Sequence, residues 1–261
     1  MMDAGELGIM KIPDVDTVAK MSEMEKDWLA YRMKCAESFV VRGGYVACKT
    51  SIPLSLDDIF SRPEYVAEHS GRVVLLTALA LLKICPNVVD TLGFDCLLQA
   101  LTHDIGEIRH GDQLDDGSIE HELFRERERK TREVFYACLP EKQAQKLREM
   151  SEQFETYQGY FGALIKAADK VDAVAWQLFL AEHYRIGNVL MKNPPSSADL
   201  KYAKLIGTHE APDVWCTHYR DMTRNIDREI REFFDEFLEV AFSKVYGYIP
   251  RCMTISLEEI V

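Results

Sequence analysis

Four side chains of metal-binding type stand out for where they fall in the chain: His69, His103, Asp104 and Asp169. His69 shares a helical stripe with Val66, Val73, Leu76 and Ala80, at offsets of −3, +4, +7 and +11, which turns its imidazole inward. A run of apolar residues delivers His103 and Asp104 side by side, followed by Gly106 and Glu107. Asp169 falls on the stripe of Ile165, Ala173 and Trp176, with Asp172 one residue short of a full turn further on. An ionised carboxylate carried into a core needs a partner or a metal, because burying it uncompensated is costly. Taken singly, each residue has an ordinary explanation: a satisfied core histidine, a helix cap, a surface Asp, or an acid neutralised by Lys170. Taken together they read as a ligand set. The spacings are 34 residues from His69 to His103 and 65 from Asp104 to Asp169, and the segments carrying them are apolar helices that must pack together. Mixed nitrogen and oxygen donors of this kind suit one divalent transition metal, and four protein ligands leave positions for water and substrate.

The elements that must position these residues read as helical almost throughout. Only 14 Gly and 9 Pro punctuate the chain, and between them apolar residues recur at helical spacing, so the fold class is all-α. A first helix is expected from Asp14 to Val40, and a loop from Thr50 to Ser61. A second helix runs from Pro63 to Ile84 and is stopped by Pro86; apolar on nearly every side, it is expected at the centre. A third spans Phe94 to Ile105, ahead of a polar loop from Arg109 to Ser118. Two charged helices, Ile119 to Leu139 and Glu141 to Tyr157, are expected at the periphery, and an apolar helix follows Gly159 as far as Tyr184. Gly187 to Asp199 reads as a surface loop, and Pro212 opens a last long helix through Tyr246. Its aromatic stripe of Phe233, Phe234, Phe237 and Phe242 is packing material, or a homodimer face if that helix is exposed.

The motifs also carry a resemblance. His69, His103-Asp104 and Asp169 resemble the His…His-Asp…Asp signature of the HD-domain superfamily of metal-dependent phosphohydrolases. Tyr65-Val66-Ala67-Glu68-His69-Ser70 is similar to a Ser-Val-Ala-Glu-His-Ser stretch of the 5′-deoxynucleotidase branch. His103-Asp104-Ile105-Gly106-Glu107, then Gly111-Asp112, is similar to that branch's His-Asp-x-x-Glu…Gly-Asp, and Ile165 to Lys170 to its third motif. The likeness covers roughly Arg42 to Glu182. It implies an HD helical core over 41–186, preceded by an N-terminal helix (1–40) and followed by a C-terminal helical extension (187–261). It implies one divalent metal (Mn, Co, Fe, Mg or Zn) on His69, His103, Asp104 and Asp169. Glu107, one helical turn after His103, matches the family's catalytic Glu and would orient or deprotonate the attacking water. Asp112 would help position the leaving group or sugar. Arg42-Gly43-Gly44-Tyr45 looks like the segment ahead of the first His in which Arg meets phosphate as a planar donor fork. The pattern departs here: Gly43 or Tyr45 stands where Trp is expected, and an insertion lies around Thr50 to Arg62. The ground for expecting discrimination against ribonucleotides is therefore missing. Arg62 and Lys170 are further substrate-binding candidates.

Composition narrows the partners. With 31 basic and 43 acidic residues the net charge is −12, which repels a phosphate backbone, so long nucleic acids are excluded and a small phosphoester is expected. The longest apolar stretch, Val73 to Leu82, is far short of the ~20 residues of a bilayer span. The seven scattered cysteines contain no Cys-x-x-Cys pair and read as reduced thiols; with no secretory signal visible, the cytoplasm is expected. Two other readings stay open at this point. A second metal, as in HD phosphodiesterases or di-iron oxygenases, would need further ligands, for which only His110 and His121 offer themselves; both suit solvated or capping roles better. A catalytically idle nucleotide-binding sensor would have no use for Glu107.

Overall fold

The computed structural model describes residues 12–37, 40, 48–50, 65–109, 111, 119–183, 189–191 and 197–260. In chain order the helices are α1 (Val15–Val18), α2 (Glu23–Ala36), α3 (Val66–Ile84), α4 (Phe94–Thr102), α5 (Ile119–Tyr136), α6 (Glu141–Thr156), α7 (Tyr160–His183), α8 (Ser197–Ile206), α9 (Ala211–Thr223), α10 (Arg228–Tyr246) and α11 (Arg251–Thr254). The all-α expectation holds. The only sheet among the described residues is one antiparallel pair, β1 (Cys48–Thr50) with β2 (Val189–Met191), in register Cys48 to Met191 and Thr50 to Val189. It ties the segment before α3 to the segment after α7.

Two helices expected to be continuous are broken, each by a local capping device. Between α1 and α2, the Ser22 backbone N–H and hydroxyl both donate to Glu25 Oε2 at 2.7 Å, and the Glu25 N–H donates to Ser22 Oγ, a reciprocal cap that starts a new helix. Between α9 and α10, Asp227 Oδ1 accepts from the Glu229 N–H at 2.9 Å.

The centre of the bundle is α7, not α3. Helices α3, α6, α9 and α10 all pack against α7. Its Ala163, Leu164, Ile165, Ala167, Ala168, Val171, Val174 and Leu178 are all buried. The alanines let neighbours approach closely, which a helix of leucines would not. By contrast α3 leaves Leu75 and Leu82 about 60% exposed, at 59% and 60%. The α6 helix, expected at the periphery, lies tight on α7. A Cβ added at Gly162 would stand 2.4 Å from Gln153 Cβ and 2.5 Å from the Gln153 backbone carbon, so only glycine permits this crossing. The aromatic stripe of α10 turns inward, with Phe234 and Phe242 fully buried and Phe233 and Phe237 packed against the same core. No single helix among the described residues is long and apolar enough to cross a membrane.

Candidate metal centre

Three elements bring the ligand-type residues together. The α3 helix starts where the Tyr65 N–H donates to Glu68 Oε2, and one turn later its inner face carries His69, 1% exposed. The α4 helix ends at Thr102, so that His103 and Asp104 sit in the turn leading to a 3-10 segment, Ile105–Ile108. That turn is pressed against α5: a Cβ on Gly106 would lie 2.9 Å from the Glu128 carbonyl oxygen. Asp169 comes from the middle of α7.

Their polar atoms converge. His69 Nε2 lies 3.3 Å from His103 Nε2, 3.1 Å from Asp169 Oδ1 and 3.5 Å from Asp104 Oδ2. His103 Nε2 lies 3.2 Å from Asp104 Oδ2 and 3.9 Å from Asp169 Oδ1. The tautomers follow from the partners on the other ring nitrogens. His103 Nδ1 is 2.8 Å from the Ala100 carbonyl oxygen, which can only accept, so Nδ1 carries the proton. His69 Nδ1 is 2.7 Å from Asp172 Oδ2 and donates likewise. Both Nε2 lone pairs therefore face one point already bordered by two carboxylates, an arrangement that calls for a cation. Donors held roughly 2.0–2.2 Å from a common ion, at angles near 90–110°, stand about 3.0–3.5 Å from one another. Four of the five separations meet that without rearrangement, and His69, His103 and Asp169 form the one such cluster among the described residues. The donor set fits a divalent metal.

The surrounding charges act on the two carboxylates of α7. Burial pushes the Asp169 carboxyl up, but the Lys170 and Lys166 ammonium groups, 3.2 and 3.5 Å from its Oδ2, hold it well below the usual carboxylate range. Asp172 is buried too, yet the His69 hydrogen bond and the Arg72 guanidinium hold it below its ordinary value. Phe154 packs at 5.4 Å between ring centroids on His103, and Lys166 Nζ sits 4.1 Å above the other partner of that contact, the Phe154 ring.

Of the other residues singled out from sequence, Glu107 is buried on the 3-10 turn, its backbone N–H donating to Asp104 O at 2.9 Å. Lys170 is the ion-pair partner of Asp169. Arg42, Arg62, Asp112 and His110 lie outside the described residues, as does the side chain of His121. Sequence reasoning assigned no role to Asp172 and passed over Arg72, Lys166 and Glu37. Glu37, just past the end of α2, is fully buried; burial pushes its carboxyl up to about 7, against the pull of Lys34. Lys34 also donates to the Leu101 carbonyl, and Ser70 Oγ to Glu37 Oε2, so the N-terminal helix is fastened to the ends of α4 and α3. Arg72 and Asp172 each stand three residues after a member of the cluster, His69 and Asp169, but that spacing alone does not say which helices meet.

A comparison with protein-family models matches residues 55–186 to the HD domain. The chain belongs to the HD-domain family. Proteins of this family are generally phosphohydrolases that use divalent metals, and the His/His/Asp cluster of this HD domain lies within the matched segment. A search of curated proteins finds no match to the chain.

Proposed function

We propose that this HD domain hydrolyses a nucleoside 5′-monophosphate or a similar small phosphomonoester, using one divalent metal held by His69, His103, Asp104 and Asp169. The observation that carries the reading is the pair of unprotonated Nε2 atoms facing each other at 3.3 Å between two carboxylates. A bound divalent cation would supply positive charge to a phosphoryl oxygen and lower the pKa of a coordinated water.

The chain's own residues divide the rest of the work. Glu107, on the turn that also carries His103 and Asp104, takes the proton of the attacking water as its oxygen bonds to phosphorus. The bond from phosphorus to the 5′ oxygen breaks, that oxygen takes a proton from solvent to leave as the hydroxyl, and Asp112 positions it. Arg42 and Arg62 bind the phosphate as planar forks, and Lys170 adds charge beside Asp169. The HD core of 41–186 holds this machinery, with the N-terminal helix and the C-terminal extension packed on it. The net charge of −12 places long nucleic acids outside the partner range and leaves a small anion drawn in by local cations.

The test is phosphate release from a panel of deoxy- and ribonucleoside monophosphates, by metal-stripped protein with Mn, Co, Fe, Mg or Zn added back. Metal-dependent release is expected. Glu107→Gln should keep the metal and lose ~10²–10⁴-fold in turnover, as expected for a lost general base. Asp104→Ala should lose the metal. Full activity of Glu107→Gln on a verified substrate would sink the role given to that residue. Silence across the panel despite metal binding would sink the substrate class.

A further inference from the structure

His69 and His103 present the same nitrogen to the centre, but they are held in that tautomer by different means. His103 is fixed by a backbone carbonyl, Ala100 O, that no side-chain exchange removes. His69 is fixed by a carboxylate, Asp172, which is buried at 2% exposure and has both oxygens occupied. Arg72 Nε donates to Oδ1 at 2.8 Å, while Oδ2 accepts from Arg72 Nη2 at 2.9 Å and from His69 Nδ1 at 2.7 Å. The guanidinium carbon in turn lies 4.3 Å above the Trp176 ring, which keeps the fork in one plane.

The geometry points to Asp172 and Arg72 as a clamp that positions His69 for the metal and keeps Asp172 itself from becoming a ligand. This rests on the metal-centre reading above. On α3 the ligand His69 and the clamp residue Arg72 are three apart; on α7 the ligand Asp169 and the clamp residue Asp172 are three apart. The two helices thus meet in two layers, a ligand layer and, one turn along, a clamp layer. Two acids on the same face of α7 acquire opposite duties because of what faces them. Asp169 turns Oδ2 to two lysines and leaves Oδ1 directed at the imidazoles. Asp172 has both oxygens engaged by the fork and the ring, and turning either toward an ion would pull it from those donors. Its negative charge reaches the metal through the imidazole, making His69 a more basic donor. Histidine ligands lacking such an outer partner typically bind metal 10–100-fold more weakly. Neither Asp172 nor Arg72 touches substrate or metal; both are positioning residues.

The experiment is titration of the full-length, metal-stripped protein with Co²⁺, read by its visible absorption and by competition with a chelator, alongside a thermal melt of each apo variant. Asp172→Asn keeps the shape and removes the charge, and should weaken Co²⁺ binding by ~10–100-fold while the protein stays folded. Arg72→Lys keeps a charge but loses the fork, and should give a smaller loss with an altered spectrum. Arg72→Gln combined with Asp172→Asn should bind no more weakly than Asp172→Asn alone, since arginine acts through the acid. His103→Ala separates this inference from the reading it rests on. If wild type binds no Co²⁺, or His103→Ala binds as wild type does, the metal-centre reading falls and takes the clamp with it. If His103→Ala loses binding but folded Asp172→Asn does not, the clamp alone is overturned. Should Asp172→Asn fail to fold, Arg72→Lys decides: unchanged affinity and spectrum overturn the clamp.

Discussion

The same substitution, glycine to alanine, should have opposite signs at two positions of this bundle, and the difference can be worked out from the packing. Gly71 lies in the interior of α3, and a Cβ there would meet nothing within 4 Å. Alanine restricts the unfolded chain and is the better helix former, so Gly71→Ala should stabilise by about 0.5–1 kcal/mol. Gly162 lies in the first turn of α7, and a Cβ there would stand 2.4 Å from Gln153 Cβ, 2.5 Å from the Gln153 backbone carbon and 2.7 Å from the Phe154 nitrogen. Two of these neighbours are backbone, which cannot rotate aside, so α6 and α7 must separate by about 1 Å to reach ordinary contact distance. Overpacking of this kind costs typically 1–3 kcal/mol, and the upper end applies where backbone is struck. Subtracting the helix-propensity gain leaves a net loss of about 2 kcal/mol, or roughly 4 °C in Tm for a chain of this size. The loss should also reach the centre, because Phe154 sits on the His103 ring and beneath Lys166. Urea and thermal unfolding followed by circular dichroism measure the first effect, and Co²⁺ titration measures the second. If Gly162→Ala melts at or above wild type, the close α6–α7 crossing is wrong, and with it the account of how α6 braces the site. Gly71→Ala is the control: it places alanine two residues from His69, so a loss there would show that any change near the site destabilises.

Other outcomes follow from the same physics. Asp213, on α9, is 8% exposed, and burial together with the charge of Glu210 pushes its carboxyl from 3.8 up to about 7. Below about pH 4 both folded and unfolded chains hold this proton; between there and pH 7 the unfolded chain ionises first, so stability falls, and above 7 it levels off. The full fall is at most about 4 kcal/mol, at 1.36 kcal/mol per pH unit. Asp213→Asn should remove that contribution, gaining stability at pH 8 relative to pH 5 in urea titrations; an unchanged pH profile would refute the assignment. Removing a metal held at 100 times its Kd should cost about 2.7 kcal/mol, read as a chelator-induced drop in Tm of roughly 5 °C. That drop should persist in Glu107→Gln and vanish in Asp104→Ala, and a drop of equal size in both would break the division between ligand and base.

The clustered residues His69, His103, Asp104 and Asp169 were legible in the sequence for a chemical reason, whereas the Arg72–Asp172 pair was not, for a geometric one. A histidine or an aspartate on an apolar stripe is an anomaly that a single helix cannot resolve, so His69, His103-Asp104 and Asp169 announce themselves one segment at a time. What hydropathy cannot tell is how many neighbours a helix has. The apolar all-round pattern of α3 suggested the centre, yet the centre went to α7, whose alanines admit four packed helices while Leu75 and Leu82 of α3 stay exposed. The breaks at Ser22 and Asp227 were signalled only by capping residues, which the continuous apolar period masked. Arg72 and Asp172 look, in sequence, like any charged pair on a helix surface. Their pairing depends on the register between α3 and α7, and that register is set by packing such as Val73 and Leu76 of α3 in one core with Ala168 and Val171 of α7. The apolar contacts therefore do chemical work at one remove. By fixing how far α3 slides along α7, they decide that Asp169 meets two lysines and the open side of His69, while Asp172 meets arginine and the imidazole N–H. Two carboxylates one turn apart on a single helix thereby take different partners, Asp169 at the His69/His103 cluster and Asp172 behind His69.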